Sequence, residues 1–344
     1  MRWYAYVAYF FGGVFLVNAI PHSVSGVLGR AFPSPFSSPP GQGESTALVN
    51  VLWGTFNLVV GYLLVSRVGT FDLRRTRDVL VVGAGGAGLR AAISAAEAGA
   101  QVVLVSKSLL GKAHTVMAEG GIAAALGNVD GRDSWKIHFR DTIKGGKGLC
   151  NWEMAKLHAE QSPGRVRELE RWGAVFDRTP DGRISQRNFG GHRYPRLAHV
   201  GDRTGLEIIR TLQDHVVHID EVDVQMETTV TRLLKSGDRV TGALAYRRTD
   251  GELLLFTASA VILATGGIGK AYRVTSNSWE YTGDGHALAY LAGADLVDME
   301  FVQFHPTALA LDDDEPFLIT EALRGQGAII LSNEGYNNWK ESVK

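Results

Sequence analysis

The run Gly83-Ala84-Gly85-Gly86-Ala87-Gly88 has the G-x-G-x-x-G spacing that suits close contact with a pyrophosphate. Gly83 allows a tight turn, Gly85 lets backbone approach the phosphates, and Gly88 lets a helix pack closely on the preceding strand. A helix opening at this run presents free N–H groups and a partial positive charge to the anion. The generic fingerprint also has an acidic residue at the end of the next strand, which bonds a ribose. Ser106-Lys107 stand there instead, which weakens an NAD assignment. A second glycine-rich turn, Ala264-Thr265-Gly266-Gly267, follows the apolar residues 260–263 and can approach the same ligand. Asp284 sits between Gly283 and Gly285, where a turn aspartate and a hydroxyl-binding acid are both open readings. Further on, His305-Pro306 and Thr320-Glu321-x-x-Arg324 supply an imidazole, a hydroxyl, a carboxylate and a guanidinium. Arginine clamps carboxylates bidentately, and Glu321 and Arg324 share one face if Thr320 starts a helix. By residue type alone, the same segments read as a turn and as a helix start with a surface ion pair.

The elements that must position these groups are legible around them. Residues 78–82 form an apolar strand candidate, residues 89–98 a small-residue helix stopped by Gly99, and residues 101–105 a second strand. This β–turn–α–β context gives the glycine run its force. Residues 222–258 alternate β-branched and polar side chains, with turn signals at Ser236-Gly237-Asp238 and Thr249-Asp250-Gly251, and predict a β-meander inserted in the nucleotide domain. The first seventy residues are different material. Residues 4–20 and 47–65 are apolar runs near the roughly 20 residues that a membrane-spanning helix needs. The Pro-, Ser- and Gly-rich residues 21–46 between them read as a loop. Arg67, Arg74, Arg75 and Arg77 follow the second run, against only Arg30 in the loop, so the positive-inside rule puts both termini in the cytoplasm. A signal peptide and a pair of soluble core helices are the competing readings. The net charge of −1 over 344 residues gives no reason to expect nucleic acid as a partner. Cys150, the single cysteine, rules out an internal disulfide and any Cys cluster for zinc or iron–sulfur, and no metal site is expected.

The stretch SKSLLGKAHTVMAEGG, residues 106–121, resembles the flavoprotein family of succinate dehydrogenase and fumarate reductase. The likeness continues through Gln186-Arg187, Phe189-Gly190-Gly191-His192 and Asp202-Arg203-Thr204-Gly205. Beyond these come Ala264-Thr265-Gly266-Gly267, Thr282-Gly283-Asp284-Gly285, Gln303-Phe304-His305-Pro306-Thr307 and Thr320-Glu321-Ala322-Leu323-Arg324-Gly325. It spans about residues 78–327.

The resemblance implies an α/β chain: a Rossmann-like FAD-binding domain with an inserted β-meander over 71–300, and the beginning of an α+β capping domain over 301–344. A two-helix transmembrane hairpin over 1–70 precedes them. It implies FAD held by Gly83 to Gly88, Ser106, Lys107, Thr115, Gly120, Gly121, Ala264 to Gly267 and Asp284, and joined covalently through His114. Phe189, His305 and Thr320 match residues that meet a dicarboxylate, and Glu321 and Arg324 match members of a proton pathway. The implied activity is interconversion of succinate and fumarate by hydride transfer at flavin N5. Electrons would pass to an iron–sulfur subunit, with a membrane or quinone-reducing anchor subunit beside it, on the cytoplasmic side of the cytoplasmic membrane. The family pattern stops after Gly327, so the chain is expected to be the N-terminal part of such a flavoprotein and to be inactive alone. The alternatives are an L-aspartate oxidase-like flavoenzyme, against which His114 speaks, and a truncated FAD-binding membrane protein without activity.

Overall fold

The structure, a computed structural model, describes residues 3–38, 40, 42–66, 75–305, 308–309, 317–319, 323, 327–329, 331 and 334–335. The chain divides into two compact units, residues 1–75 and 76–344.

The first unit pairs helix α1 (Trp3–Val27) with helix α2 (Ala47–Ser66). The sequence predicts a loop from Pro21, yet α1 runs through Pro21 to Val27. Proline removes one N–H and crowds the carbonyl four residues back. Close packing beyond it offsets that cost: a Cβ at Gly54 would lie 2.4 Å from Ser23 Oγ, and one at Gly26 would lie 2.6 Å from the Val51 backbone nitrogen. Polar groups are turned inward between the helices. Asn18 donates to Asn57 Oδ1 at 3.1 Å, and His22 Nδ1 shares a 3.0 Å hydrogen bond with Asn50 Oδ1. Asn50 Nδ2 also donates to the carbonyls of Phe32 and Ser45 at 3.2 and 3.1 Å, which ties down the ribbon formed by Phe32–Pro33 and Glu44–Ser45. Phe10, Val17, Ile20, Leu52 and Phe56 are exposed. Both helices are long and apolar enough to cross a membrane by length and composition.

The second unit is built on one six-stranded sheet. Its strands are β1 (Arg75–Val82), β2 (Val102–Val105), β3 (Val222–Gln225), β4 (Thr228–Ser236), β5 (Arg239–Arg247) and β6 (Leu253–Leu263), in the spatial order β3-β2-β1-β6-β5-β4. β1, β2 and β3 run parallel, while β4, β5 and β6 form antiparallel pairs. The expected meander is therefore present as β4, β5 and β6, with its turns where the sequence places them, but it runs to Leu263, and residues 222–225, expected to begin it, pair in parallel with β2. The meander extends the nucleotide sheet, and the length of β6 explains this. Residues 253–257 pair with β5, and just past the strand's end the Ala264 amide bonds the Val82 carbonyl of β1 at 2.8 Å.

Among the described residues the unit also carries helices α3 (Gly86–Glu97), α4 (Trp135–Gly145), α5 (Trp152–Arg171), α6 (Thr204–Val216) and α7 (Asp284–Leu291), and a small sheet of Ile122–Ala123, Leu197–Ala198 and Gln186–Arg187. Side chains alternate across the sheet, as the two-residue period of a strand requires. Val81, Val102 and Leu104 join Leu89, Ile93, Val166, Ile209 and Val216 in one core. Leu80, Val82, Val103 and Val105 join Phe256 and Leu288 in the other. With both faces buried, β1 and β2 read as continuous apolar runs, as parallel strands do. Their C-terminal ends are left as the place where loops meet.

Candidate functional site

At those strand ends lies a cavity of about 400 Å³. Its floor is the first glycine turn. Gly83 has φ +110°, a conformation that side chains disfavour, and a Cβ there would meet the Ala264 carbonyl oxygen at 2.3 Å. A Cβ at Gly88 would fall 1.7 Å from the Gly83 carbonyl oxygen. β1, α3 and the turn after β6 are thus in backbone contact. Gly85, the N-cap of α3, is different. A Cβ there would come no nearer than 3.4 Å to Thr115 Oγ1, in ordinary contact at the cavity wall. The helix N-terminus is left uncovered by any side chain of its own cap, and this geometry fits a diphosphate.

The opposite wall comes from the short helix His114–Met117. Thr115 Oγ1 accepts from the Gly86 amide at 3.2 Å, so this segment is stitched to the first glycine turn. α6 presses on it from behind. A Cβ at Gly205 would lie 1.9 Å from the Thr115 carbonyl oxygen, and the Gly205 amide donates to the Ala118 carbonyl at 2.7 Å. This close approach is the physical reason for a glycine in Asp202-Arg203-Thr204-Gly205. Arg187 donates to the carbonyls of Glu119 (2.6 Å) and Gly120 (3.0 and 2.8 Å) and so holds the following turn. Gly121 there has φ +116°, and a Cβ would meet the Ala198 carbonyl oxygen at 2.8 Å.

His114 is held on two sides. Its Nδ1 accepts from the Ser278 amide at 3.2 Å, and its ring lies 4.5 Å from that of Tyr281, tilted by 52°. Burial pushes its pKa below the ordinary histidine value and the negative charge of Glu280 opposes this without reversing it. The imidazole is therefore biased toward its neutral form, and with Nδ1 accepting, the proton of that form sits on Nε2. Across the cavity, Lys107 Nζ donates to Asp284 Oδ2 at 2.9 Å and to Thr282 Oγ1 at 2.7 Å. Burial opposes ionisation of Asp284, but the hydrogen bonds from Lys107 and Thr282 outweigh it, so the carboxyl lies below its usual range. A carboxylate thus stands beside the end of β2 after all, carried in from α7 and steadied by the lysine that replaces the generic acid.

Of the residues singled out in the sequence, Gly83, Ala84, Gly85, Gly86, Ala87, Ser106, Lys107, His114, Thr115, Ala264, Thr265, Gly266 and Asp284 line this one cavity. Gly88 and Gly267 pack against lining residues without lining the cavity, and Gly120 and Gly121 do not line it. Phe189 packs toward Gly120, 3.7 Å from where a Cβ would sit, on the turn that Arg187 secures. His305 is half-buried and does not line the cavity. Thr320, Glu321 and Arg324 lie outside the described residues. Sequence reasoning missed Ser278, Glu280 and Tyr281. Their position just before Thr282-Gly283-Asp284-Gly285 was the available signal, but nothing local ties them to His114, 164 residues away from Ser278 in the chain.

The sequence pattern of the FAD binding domain family matches residues 78–342. The chain is 45% identical over 260 residues to a subunit of the CoM/CoB fumarate reductase of Methanothermobacter marburgensis, covering 75% of this chain and 47% of that protein. It is 40% identical over 261 residues to the fumarate reductase flavoprotein subunit of Escherichia coli, covering 75% of this chain and 42% of that protein. Among solved structures, the apo Sdh1 complex of Mycobacterium smegmatis matches with a TM-score of 0.70 and 56% identity, over 77% of this chain and 47% of that one. A variant of E. coli quinol fumarate reductase matches with a TM-score of 0.73 and 38% identity, over 78% and 45%. The chain thus spans about half the length of these relatives.

Proposed function

This chain belongs to the FAD binding domain family and takes FAD as its cofactor, and from that premise we propose that it serves a succinate–fumarate oxidoreductase as the FAD-holding part of its flavoprotein. The observation that carries the reading is the cavity in which the phosphate turn at α3 and the His114 segment are bonded to each other through Gly86 and Thr115. FAD bound there would supply, at its N5, a two-electron acceptor and donor for hydride exchange with the dicarboxylate. The α3 N-terminus, Gly85 and the amides around it hold the diphosphate. Asp284, kept ionised by Lys107, accepts from hydroxyl groups of the cofactor. His114 would carry the covalent attachment through Nε2, the nitrogen outside the Ser278 hydrogen bond, which must shed its proton to bond carbon.

On the substrate side, this reading gives Phe189, His305 and Thr320 to the dicarboxylate, and Glu321 and Arg324 to moving the proton that must leave or join the adjacent carbon. Electrons pass to an iron–sulfur partner subunit, since one cysteine cannot hold a cluster in this chain. The hairpin of α1 and α2 is membrane-embedded, its apolar exterior toward lipid, with the flavin unit on the cytoplasmic side beside a quinone-reducing anchor.

The test is dye-linked succinate oxidation and fumarate reduction by the full-length protein with its partner subunits. Turnover is expected with both dicarboxylates, with loss of at least about a hundredfold in His305→Ala, as for other side chains that hold a reacting group in place. Turnover with L-aspartate but not with succinate would overturn the reading in favour of the oxidase.

A further inference from the structure

The second glycine turn has a neighbour other than the cofactor. A Cβ at Gly266 would lie 2.4 Å from Tyr281 Cε2, and one at Gly267 would lie 3.2 Å from its Cδ1 and Cε1. The glycines make room for an aromatic ring. That ring lies against the His114 ring, 4.5 Å between centroids. Tyr281 is anchored in turn: its amide bonds the Ser278 carbonyl at 3.1 Å, and its carbonyl accepts from the Lys270 amide at 2.9 Å. The same short turn therefore presents two groups to one imidazole, the Ser278 amide at Nδ1 and the Tyr281 ring against the imidazole itself. An amide alone leaves an imidazole free to swing about the hydrogen bond. A packed ring removes that freedom, and a nucleophile held in one orientation gains rate from the entropy already lost.

We propose that Tyr281 is a positioning residue for cofactor attachment, holding the His114 ring so that Nε2 faces the flavin methyl group. The inference rests on the covalent reading given above. In that step Nε2 loses its proton to solvent as the Nε2–carbon bond forms, the methyl carbon loses one likewise, and two electrons leave through the flavin to dioxygen, which takes up two protons from solvent and becomes hydrogen peroxide. Nothing is asked of the tyrosine hydroxyl, so a phenylalanine should serve as well.

The experiment measures covalent and total flavin separately in full-length apoprotein supplied with FAD under air. Covalent flavin is read as fluorescence in denaturing gels over time, and total flavin by absorbance after desalting. Tyr281→Leu fills space without a ring; it is expected to bind FAD within about threefold of the unmutated protein and to attach it at least about tenfold more slowly. Its attachment should also need a higher pH, because a less shielded His114 protonates more readily. Tyr281→Phe is expected to attach FAD normally. Attachment by Tyr281→Leu at the unmutated rate would overturn the proposal. So would equal loss of covalent and total flavin, which marks a merely structural ring. The unmutated protein and His114→Ala test the underlying reading: flavin released by acid from the former, or retained covalently by the latter, would refute attachment at His114 and the role of Tyr281 with it.

Discussion

Replacing Arg196 by methionine should destabilise the flavin unit by about 3–5 kcal/mol, the usual cost of breaking a buried ion pair from one side. The Arg196 side chain is fully buried, as is that of Asp133. Arg196 Nε and Nη2 donate to the two oxygens of Asp133 at 3.1 and 2.7 Å, and Nη2 also meets Asp141 at 3.0 Å. Methionine fills most of the volume but leaves two carboxylates facing one another without their cation. Lysine restores the charge without the planar two-pronged contact, so Arg196→Lys should recover part of the loss. The assay is urea unfolding at pH 7, followed by far-ultraviolet circular dichroism. With a slope of about 2 kcal/mol per M, the midpoint of Arg196→Met should fall by about 2 M. The Arg196 carbonyl also accepts from the Ala124 amide at 2.9 Å, so the Ala124 segment should loosen first. A midpoint within about 0.3 M of the unmutated protein, on the same slope, would refute the view that this guanidinium is what makes the buried acids tolerable.

Other outcomes follow from the same geometry. Gly85→Val places a branched side chain at the cavity wall beside the α3 N-terminus, so FAD occupancy after desalting should fall at least about tenfold while circular dichroism stays unchanged. His138 is buried, and burial, with Arg196, His158 and His192 adding to it, holds its pKa at about 4. The folded state thus binds this proton less readily than the unfolded chain. Stability is complete above the ordinary histidine range near 6.5 and declines by up to about 3 kcal/mol as pH falls to 4. His138→Phe should flatten that slope in unfolding titrations between pH 7 and 4. The hairpin should resist carbonate extraction from membranes, with residues 28–46 open to protease added from outside; a freely soluble full-length protein would contradict this.

The phosphate turn was legible because its glycines are demanded locally, by a turn and two backbone contacts within a few residues of β1 and α3. The meander turns were legible for the same reason. What the sequence hid was partnership at a distance. Lys107 looked like a missing acid until Asp284 was brought beside it, and nothing near Gly266 and Gly267 announced that Tyr281 packs against them. Pro21 was read as a stop because its cost is local, while the contacts that offset it come from α2. Arg196 carried no signal at all, since a buried arginine is written like an exposed one.

The backbones that meet at Gly83, Gly88 and Ala264 have only the Ala264 methyl among them as a side-chain atom. Three elements touch there almost as bare peptide, and neither a peptide plane nor a methyl can change rotamer. A push on α3 is therefore handed undiminished to β1 and to the turn after β6. Such a junction cannot act as a hinge. Any opening that admits or releases a ligand must be found in parts joined by side chains, such as the Arg187 grip on the Glu119–Gly120 carbonyls, while this corner keeps its shape as the fixed jaw of a vice.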